Sequence, residues 1–222
     1  MIRKEEKKVE YLELIYDLIF VYIIGRNNSL LHQIEGGFVS GDVILPYVFC
    51  TLAVIQIWNF STFYINLYGR NSVRDHVFLF INMYLLYHMA DGIGAQWQSS
   101  FDQFCGAWLL ILVNIGAQHI LELRHHGSAP WEAVQIRRKA AILFIEAGLV
   151  GVHMIVYHLT GVSVAYVPVV FGIAAAVLSG RINMIVPVDF THLTERAMLY
   201  VVFTFGEMII AISAYFVGDG SF

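Results

Sequence analysis

The chain has 222 residues, of which 58% are hydrophobic and 14% are charged, and its formal net charge is −4. Soluble domains carry about 25% charged residues, so this composition excludes an ordinary soluble domain and predicts an integral membrane protein. No basic patch with interleaved aromatic residues occurs, so nucleic acid is not an expected partner. Cys50 and Cys105 lie in or beside apolar runs without metal-ligand spacing, and are interpreted as small buried hydrophobes.

Seven segments are long enough to cross a bilayer core, which takes about 20 helical residues. They lie near residues 9–25, 43–68, 76–93, 102–122, 139–158, 162–180 and 194–217. The first carries Glu10, Glu13 and Asp17, which a signal-peptide core avoids, so it is interpreted as a retained helix. The sequence therefore predicts an all-α, polytopic bundle of seven transmembrane helices that forms a single domain over residues 1–222.

Positive charge predicts the orientation of this bundle. Of the thirteen Lys and Arg residues, all except Arg26 fall on one side of the seven-helix map. The positive-inside rule assigns that side to the cytoplasm. The N-terminus is therefore expected in the cytoplasm and the C-terminus outside.

Six of the seven predicted helices carry polar residues at spacings of three, four and seven, which places them on one helix face. These stripes are Glu10, Glu13 and Asp17; Asn59, Thr62 and Asn66; Tyr84, His88 and Asp91; Asn114, Gln118 and Glu122; Glu146, His153 and Tyr157; and His192, Arg196 and Glu207. Polar residues avoid lipid, so the stripes predict a hydrated interior. The supporting polar residues of that interior are expected to be Asn59, Asn66, Asp91, Asn114, Gln118 and His153. The alternative, that they only hold helices together, stays open.

Glu207 lies near the middle of the apolar run from Ala197 to Val217. A charge at that depth costs about 2–3 kcal/mol on insertion scales, so by default it marks a functional site. No basic residue is expected at its depth, and an unpaired buried carboxylate takes up a proton. Glu207 is therefore the first candidate for a protonatable switch, and Glu146 is the second.

Arg196 lies at the expected cytoplasmic end of the last helix, and Glu13 and Asp17 lie at the same end of the first. At a rise of 1.5 Å per residue, both carboxylates fall within roughly 10 Å of that side. We expect an ion pair between Arg196 and Asp17 or Glu13. Such a pair serves either as a gate or as a clamp between the first helix and the last.

Two sequence patterns carry a family resemblance. The last helix contains His192, Glu195 and Arg196 followed by Gly206 and Glu207, in the pattern H-x-x-E-R-x-x-L-x-x-x-x-x-x-G-E. The first helix contains E-L-x-x-D-L-x-F-V, beginning at Glu13. Both patterns resemble those of the bacterial low-temperature-requirement A (LtrA) membrane family.

The resemblance implies a protein of the bacterial cytoplasmic (inner) membrane, with Glu13, Asp17, Glu195, Arg196 and Glu207 as matched motif positions. Members of the family usually continue through further helices. The chain is therefore expected to be either a short member or the N-terminal part of a longer protein.

The leading functional hypothesis is a transporter, or a transporter module, that uses buried carboxylates for a proton or cation. Its expected pathway residues are Glu13, Asp17, Glu146, His192, Glu195, Arg196 and Glu207. One alternative is a structural or assembly subunit. Another is a metal-dependent intramembrane hydrolase with ligands among His88, His119, His153 and His158, although no two of these have i, i+4 spacing. No metal or cofactor is expected; the expected partners are the lipid bilayer and a small ion or molecule, and a homo-oligomer stays open.

Overall fold

The computed structural model describes residues 8–32, 34–35, 38–39, 41–93, 97–126, 130–182 and 188–216. These residues form seven α-helices: α1 (Tyr11–Asn28), α2 (Gly41–Tyr68), α3 (Val73–Asp91), α4 (Trp97–His126), α5 (Pro130–Thr160), α6 (Tyr166–Ile182) and α7 (Phe190–Phe216). A 3₁₀ turn, Ser29–His32, follows α1, and two two-residue strands, Ile34–Glu35 and Phe38–Val39, pair antiparallel before α2. The predicted all-α bundle of seven helices is confirmed.

The helix ends differ from the expected ones mainly on α4 and α5. α5 begins at Pro130 rather than at 139, so the basic residues Arg137 and Arg138 lie inside the helix rather than in a loop. Proline is well suited to a first helical position, and a helix can continue past the hydrocarbon region into water. α5 ends at Thr160, where Gly161 adopts a φ of 71° that favours glycine. The expected end of the last helix, 217, lies outside the described residues.

The surface of the bundle is strongly apolar. Among the described residues, three helices are long and apolar enough to cross a membrane: Val43–Tyr68, Ser100–Arg124 and Pro130–Thr160. A shorter apolar helix covers Tyr166–Leu178. Large hydrophobic side chains are exposed on all seven helices, for example Leu18, Leu45, Phe80, Leu110, Ile155, Val177 and Ile209. Soluble monomers rarely expose apolar surface on this scale, whereas a bilayer covers it without cost.

The first and last helices run parallel, side by side. Near its start α1 contacts α7 through Glu13 and His192, and near its end Gly25 lies against Glu207. α2 runs antiparallel to both, because Asn66, near its end, contacts His192. We call the side on which α1, α3, α5 and α7 begin the N-terminal side of the bundle, and the opposite one the far side.

The turn between α2 and α3 is held on the N-terminal side by hydrogen bonds and ion pairs. Ser72 Oγ accepts a hydrogen bond from Asp75 N at 3.2 Å, and Asp75 Oδ2 accepts one from Ser72 N at 3.4 Å, which forms a capping box. Burial acts to raise the pKa of Asp75, but hydrogen bonds from Arg70 N, Ser72 and Arg74 outweigh it, and the pKa is lowered. Arg70 and Arg74 also pair with the fully buried Glu122 of α4.

Replacing the cap of α3 tests this arrangement. We expect Ser72→Ala to lower the free energy of unfolding in detergent by about 1 kcal/mol, because the N–H of Asp75 loses its acceptor. Ser163→Ala, at an exposed serine, is the matched control and should be close to neutral. Equal thermal stability of the two variants would show that the capping box does not support α3.

Candidate functional site

A buried ion pair joins the first helix to the last. Arg196 Nη2 donates to Asp17 Oδ1 at 2.6 Å, and Arg196 Nε donates to Asp17 Oδ2 at 3.0 Å. Both residues are 0% exposed. Trp58 of α2 donates to the same Asp17 Oδ1 at 2.9 Å. The ion pair predicted from helix depth is therefore confirmed, and its bidentate geometry is the strongest that arginine and a carboxylate can form.

A second contact lies one turn nearer the N-terminal side. His192 Nε2 lies 2.8 Å from Glu13 Oε2, and His192 Nδ1 lies 3.2 Å from Asn66 Nδ2. Arg196 Nη1 lies 3.8 Å from the same Glu13 oxygen. Glu13, Asp17, His192 and Arg196, which we call the α1–α7 network, thus hold two acids and two bases in one buried cluster. Their spacings of four residues on each helix align the two pairs.

Aromatic side chains flank the Asp17–Arg196 pair: Trp58 and Tyr200 lie toward the far side, whereas Tyr16 reaches Ser61 toward the N-terminal side. Trp58 stacks on Tyr200 with ring centroids 4.7 Å apart. Tyr16, next to Asp17 on α1, is fully buried and shares a 2.7 Å hydrogen bond with Ser61. Because Trp58 also binds Asp17, the Trp58–Tyr200 pair fixes the orientation of the carboxylate as well as closing over it.

A cavity lies on each side of the network. The one on the N-terminal side has a volume of about 30 Å³ and is lined by residues of α1 to α4 that include Glu13, Ser61, Asn82 and Gln118. This is room for about one water molecule among polar partners. The one on the far side, between α1, α2 and α7, measures about 320 Å³ and is lined by Ile24, Asn27, Asn28, Leu31, Tyr47, Thr51, Ile55, Tyr200, Thr204, Met208 and Ile212. Glu13 thus faces one cavity and Tyr200 the other.

Glu207 does not point wholly into lipid. It is half-buried, and its Oε2 lies 2.9 Å from the position that a Cβ on Gly25 would occupy. Its neighbour Met208 and Thr204, one turn earlier, line the far cavity. Arg26, next to Gly25, donates to the carbonyl of Ile93 and so joins the end of α1 to the end of α3. Glu207 therefore lies against the end of α1, between two α7 residues that line the far cavity, and outside the α1–α7 network.

Glu146 is more completely enclosed than Glu207. It is 0% exposed, and neither of its oxygens has a hydrogen-bond partner among the described residues. Gln56 of α2 approaches the same point, the position that a Cβ on Gly172 of α6 would occupy. Gln56 was not predicted from the sequence, although it stands one turn before Asn59 and extends the polar stripe of α2.

The structure places two of the expected site residues, Asp91 and Glu195, on the outside of the bundle. Asp91 is exposed, with Gln103 as its hydrogen-bond donor at 3.4 Å, and Tyr84 and His88 of the same stripe are exposed as well. α3 instead buries the face that contains Asn82. Asp91 is the last residue of its helix, where an acid can reach water or headgroups at little cost. Glu195 is also exposed, because one residue along a helix is a rotation of about 100° from Arg196.

The other expected polar residues lie in the interior or at its edge. Asn66 binds the backbone of Asp189, Asn114 binds Asn82 at 2.9 Å, and Gln118 lines the cavity on the N-terminal side. His153 is buried and accepts a hydrogen bond from Val164 N at 3.2 Å. Asn59 is half-buried. Most of these side chains form hydrogen bonds between helices or to the segments next to them, and they do not converge on one site.

Metal ligation finds little support in the arrangement of side chains. Within the described ranges, no group of three or more His, Cys, Asp or Glu side chains is placed to hold a metal ion. His119 lies against the carbonyl of Ile115, and His158 against Asp102 on the far side. The four histidines weighed for a hydrolase are thus not brought to one place.

Comparison with known proteins relates the chain to one family. No curated protein and no solved structure matched the sequence. The model of one family, "Bacterial low temperature requirement A protein (LtrA)", matches residues 8–221. That match covers the α1 and α7 motifs that form the network and spans nearly the whole bundle. Together with the apolar helices, it supports an integral membrane protein. The chain therefore belongs to the bacterial low-temperature-requirement A family.

Proposed function

We propose that this protein is a transporter, or the module of one, that moves a proton or another small cation across the bacterial inner membrane. In this proposal the N-terminal side faces the cytoplasm. The observation that carries it is the α1–α7 network itself: two carboxylates, a histidine and an arginine, buried together with a cavity on each side. In this proposal the ion passes from one cavity to the other through this cluster, where it replaces one of the existing charge partners.

The geometry supports a competition mechanism. Glu13 binds His192, lies near Arg196 and lines the cavity on the N-terminal side, so in this proposal it is the carboxylate of the network that a cation or proton meets first from that side. Neutralising Glu13 weakens its hold on His192 and leaves Arg196 bound by Asp17 alone. Because these contacts join α1 to α7, a change of charge at Glu13 is coupled to the packing of the two helices. Glu207 lies at the outer end of the same helix pair.

Proton movement across liposomes tests the proposal. We expect protein reconstituted with an internal pH-sensitive dye to equilibrate an imposed pH gradient, and Glu13→Gln and Glu207→Gln to slow this by about tenfold or more. Loss of a positioned proton-transfer group costs about 10²–10⁴ in rate in enzymes, so the effect should be large. Glutamine keeps the size of the side chain and most of its hydrogen bonds.

Glu195→Gln is the matched control, because Glu195 belongs to the family motif but is exposed. It should equilibrate the gradient at the wild-type rate. Variants at Glu13 and Glu207 that fold normally and also match wild type, with gradients of protons, sodium and potassium tested in turn, would rule the proposal out.

A structural or assembly role is the second candidate. Complete burial and full pairing of Asp17 with Arg196 favour it, since a permanent clamp needs no solvent access. It predicts that each variant of the network lowers thermal stability in proportion to the hydrogen bonds and ion pairs that its substitution removes. Added ions should then change the stability of wild type and variants equally. Stabilisation of wild type by one cation, absent in Glu13→Gln, would favour transport instead.

A further inference from the structure

A second buried polar group lies where α2, α5 and α6 meet, away from the α1–α7 network. Glu146 of α5 is 0% exposed and Gln56 of α2 is 4% exposed. Both side chains enter a notch left by Gly172 of α6: a Cβ there would overlap Gln56 Nε2 and lie 2.7 Å from Glu146 Oε2. All four polar atoms of the two side chains lack a hydrogen-bond partner among the described residues. The notch therefore holds one acid and one amide whose bonding capacity is unused.

No described charge balances Glu146. On its own face of α5, Lys139 and His153 stand two turns away in either direction, about 10 Å along the axis. Lys139 Nζ lies 5.9 Å from the ring centre of Tyr68, and His153 Nδ1 accepts from Val164 N. The other buried titratable side chains described on the helices packed around it are Cys50, Tyr64 and Tyr68 of α2 and Cys105, His119 and Glu122 of α4. Of these, Glu122 pairs with Arg70 and Arg74. None of them forms a hydrogen bond or ion pair with Glu146 in the described part of the chain.

The chemistry of the notch selects its ligand. An ionised carboxylate buried without a partner is far less stable than the neutral acid, so the site needs one positive charge. Glu146 and Gln56 offer three oxygens, whereas a hard metal ion takes about six to eight. The two described cavities are lined by other residues. A proton needs no such space, and an acid and a primary amide are complementary: the acid O–H donates to the amide oxygen, and the amide N–H to the acid carbonyl.

We propose that Glu146 and Gln56 form a proton-binding site, in which the neutral acid of Glu146 exchanges a reciprocal pair of hydrogen bonds with the amide of Gln56. Binding adds one proton to a carboxylate oxygen, and release restores the carboxylate. No other group is consumed. The site shares no residue with the α1–α7 network, so it is tested separately from transport.

Infrared spectroscopy of the purified protein in lipid tests this directly. At neutral pH, wild type should show a protonated-carboxyl C=O band that shifts on exchange into D₂O and is lost in Glu146→Gln. Gln56→Leu should keep the band but move it to higher frequency, because the acid carbonyl loses its N–H donor. In wild type the band should decline as the medium is made alkaline.

Glu195→Gln, at an exposed acid, is the control and should leave the band unchanged. Identical spectra of wild type and Glu146→Gln would overturn the proposal, as would a band that Gln56→Leu does not move. A band removed by sodium at constant pH would assign the notch to a metal cation and overturn it equally. Glu146→Gln is close in size to the native side chain, and Gln56→Leu provides a second variant should it not fold.

Discussion

Arg196→Gln is expected to destabilise the protein more than any other single substitution in the α1–α7 network. It removes the partner of Asp17, which is 0% exposed and bound twice by the guanidinium. Leaving one charge of a buried pair uncompensated costs about 3–5 kcal/mol. The measurement is thermal or denaturant unfolding in detergent, and Glu195→Gln, on the next residue, should stay within about 0.5 kcal/mol of wild type.

The double variant Asp17→Asn with Arg196→Gln separates charge from packing. If the loss comes from the unpaired carboxylate, the second substitution should restore part of the stability, so the two changes are non-additive. Strict additivity would mean that Asp17 and Arg196 do not interact energetically. A double variant that folds well but no longer moves ions would separate the transport role from the clamp.

The second large effect is expected at Gly172. Gly172→Ala places a methyl group on the Nε2 of Gln56, whose side chain is buried and has little room to move. Either the amide is expelled or α6 moves away from α2, and overpacking of this kind costs about 1–3 kcal/mol. The measurement is again the free energy of unfolding in detergent.

Gly148→Ala on α5 is the matched control, because no atom lies within 4 Å of its Cβ position. Alanine is favoured over glycine inside a helix by about 0.5–1 kcal/mol, so this variant should be neutral or slightly more stable. Adding Gln56→Ala to Gly172→Ala should recover part of the stability, since the closest overlap is then gone and only Glu146 Oε2, 2.7 Å from the new methyl position, still crowds it. A destabilisation that is equal at Gly148 and Gly172 would contradict the close approach.

The sequence predicted the fold and one central contact for clear physical reasons. The seven helices follow from the length of the apolar segments. The pairing of Asp17 with Arg196 follows from depth, because both residues stand the same distance from the N-terminal side and neither tolerates lipid alone. Helix spacing also placed Glu13 and His192 next to that pair, one turn away.

The failures have an equally physical origin. Helical periodicity shows which polar residues share a face of a helix, but not whether that face turns into the bundle or outward. α3 has polar residues on two faces. Asn82 faces inward, whereas Asp91 at the helix end reaches outward. Contacts between distant segments were also missed, such as the pairing of Glu122 with Arg70 and Arg74. Those arginines were interpreted only as markers of orientation, and no local pattern gives the partner of a buried side chain on another helix.

The parallel pairing of the first and last helices has a consequence for biosynthesis. Asp17 and Arg196 are 179 residues apart. At about 5–20 residues per second, a ribosome needs roughly 10–35 s to make the intervening chain. Throughout that interval the nascent first helix carries two acids with no arginine to meet them. The ion pair that joins it to the seventh helix can therefore form only after that helix has been synthesised.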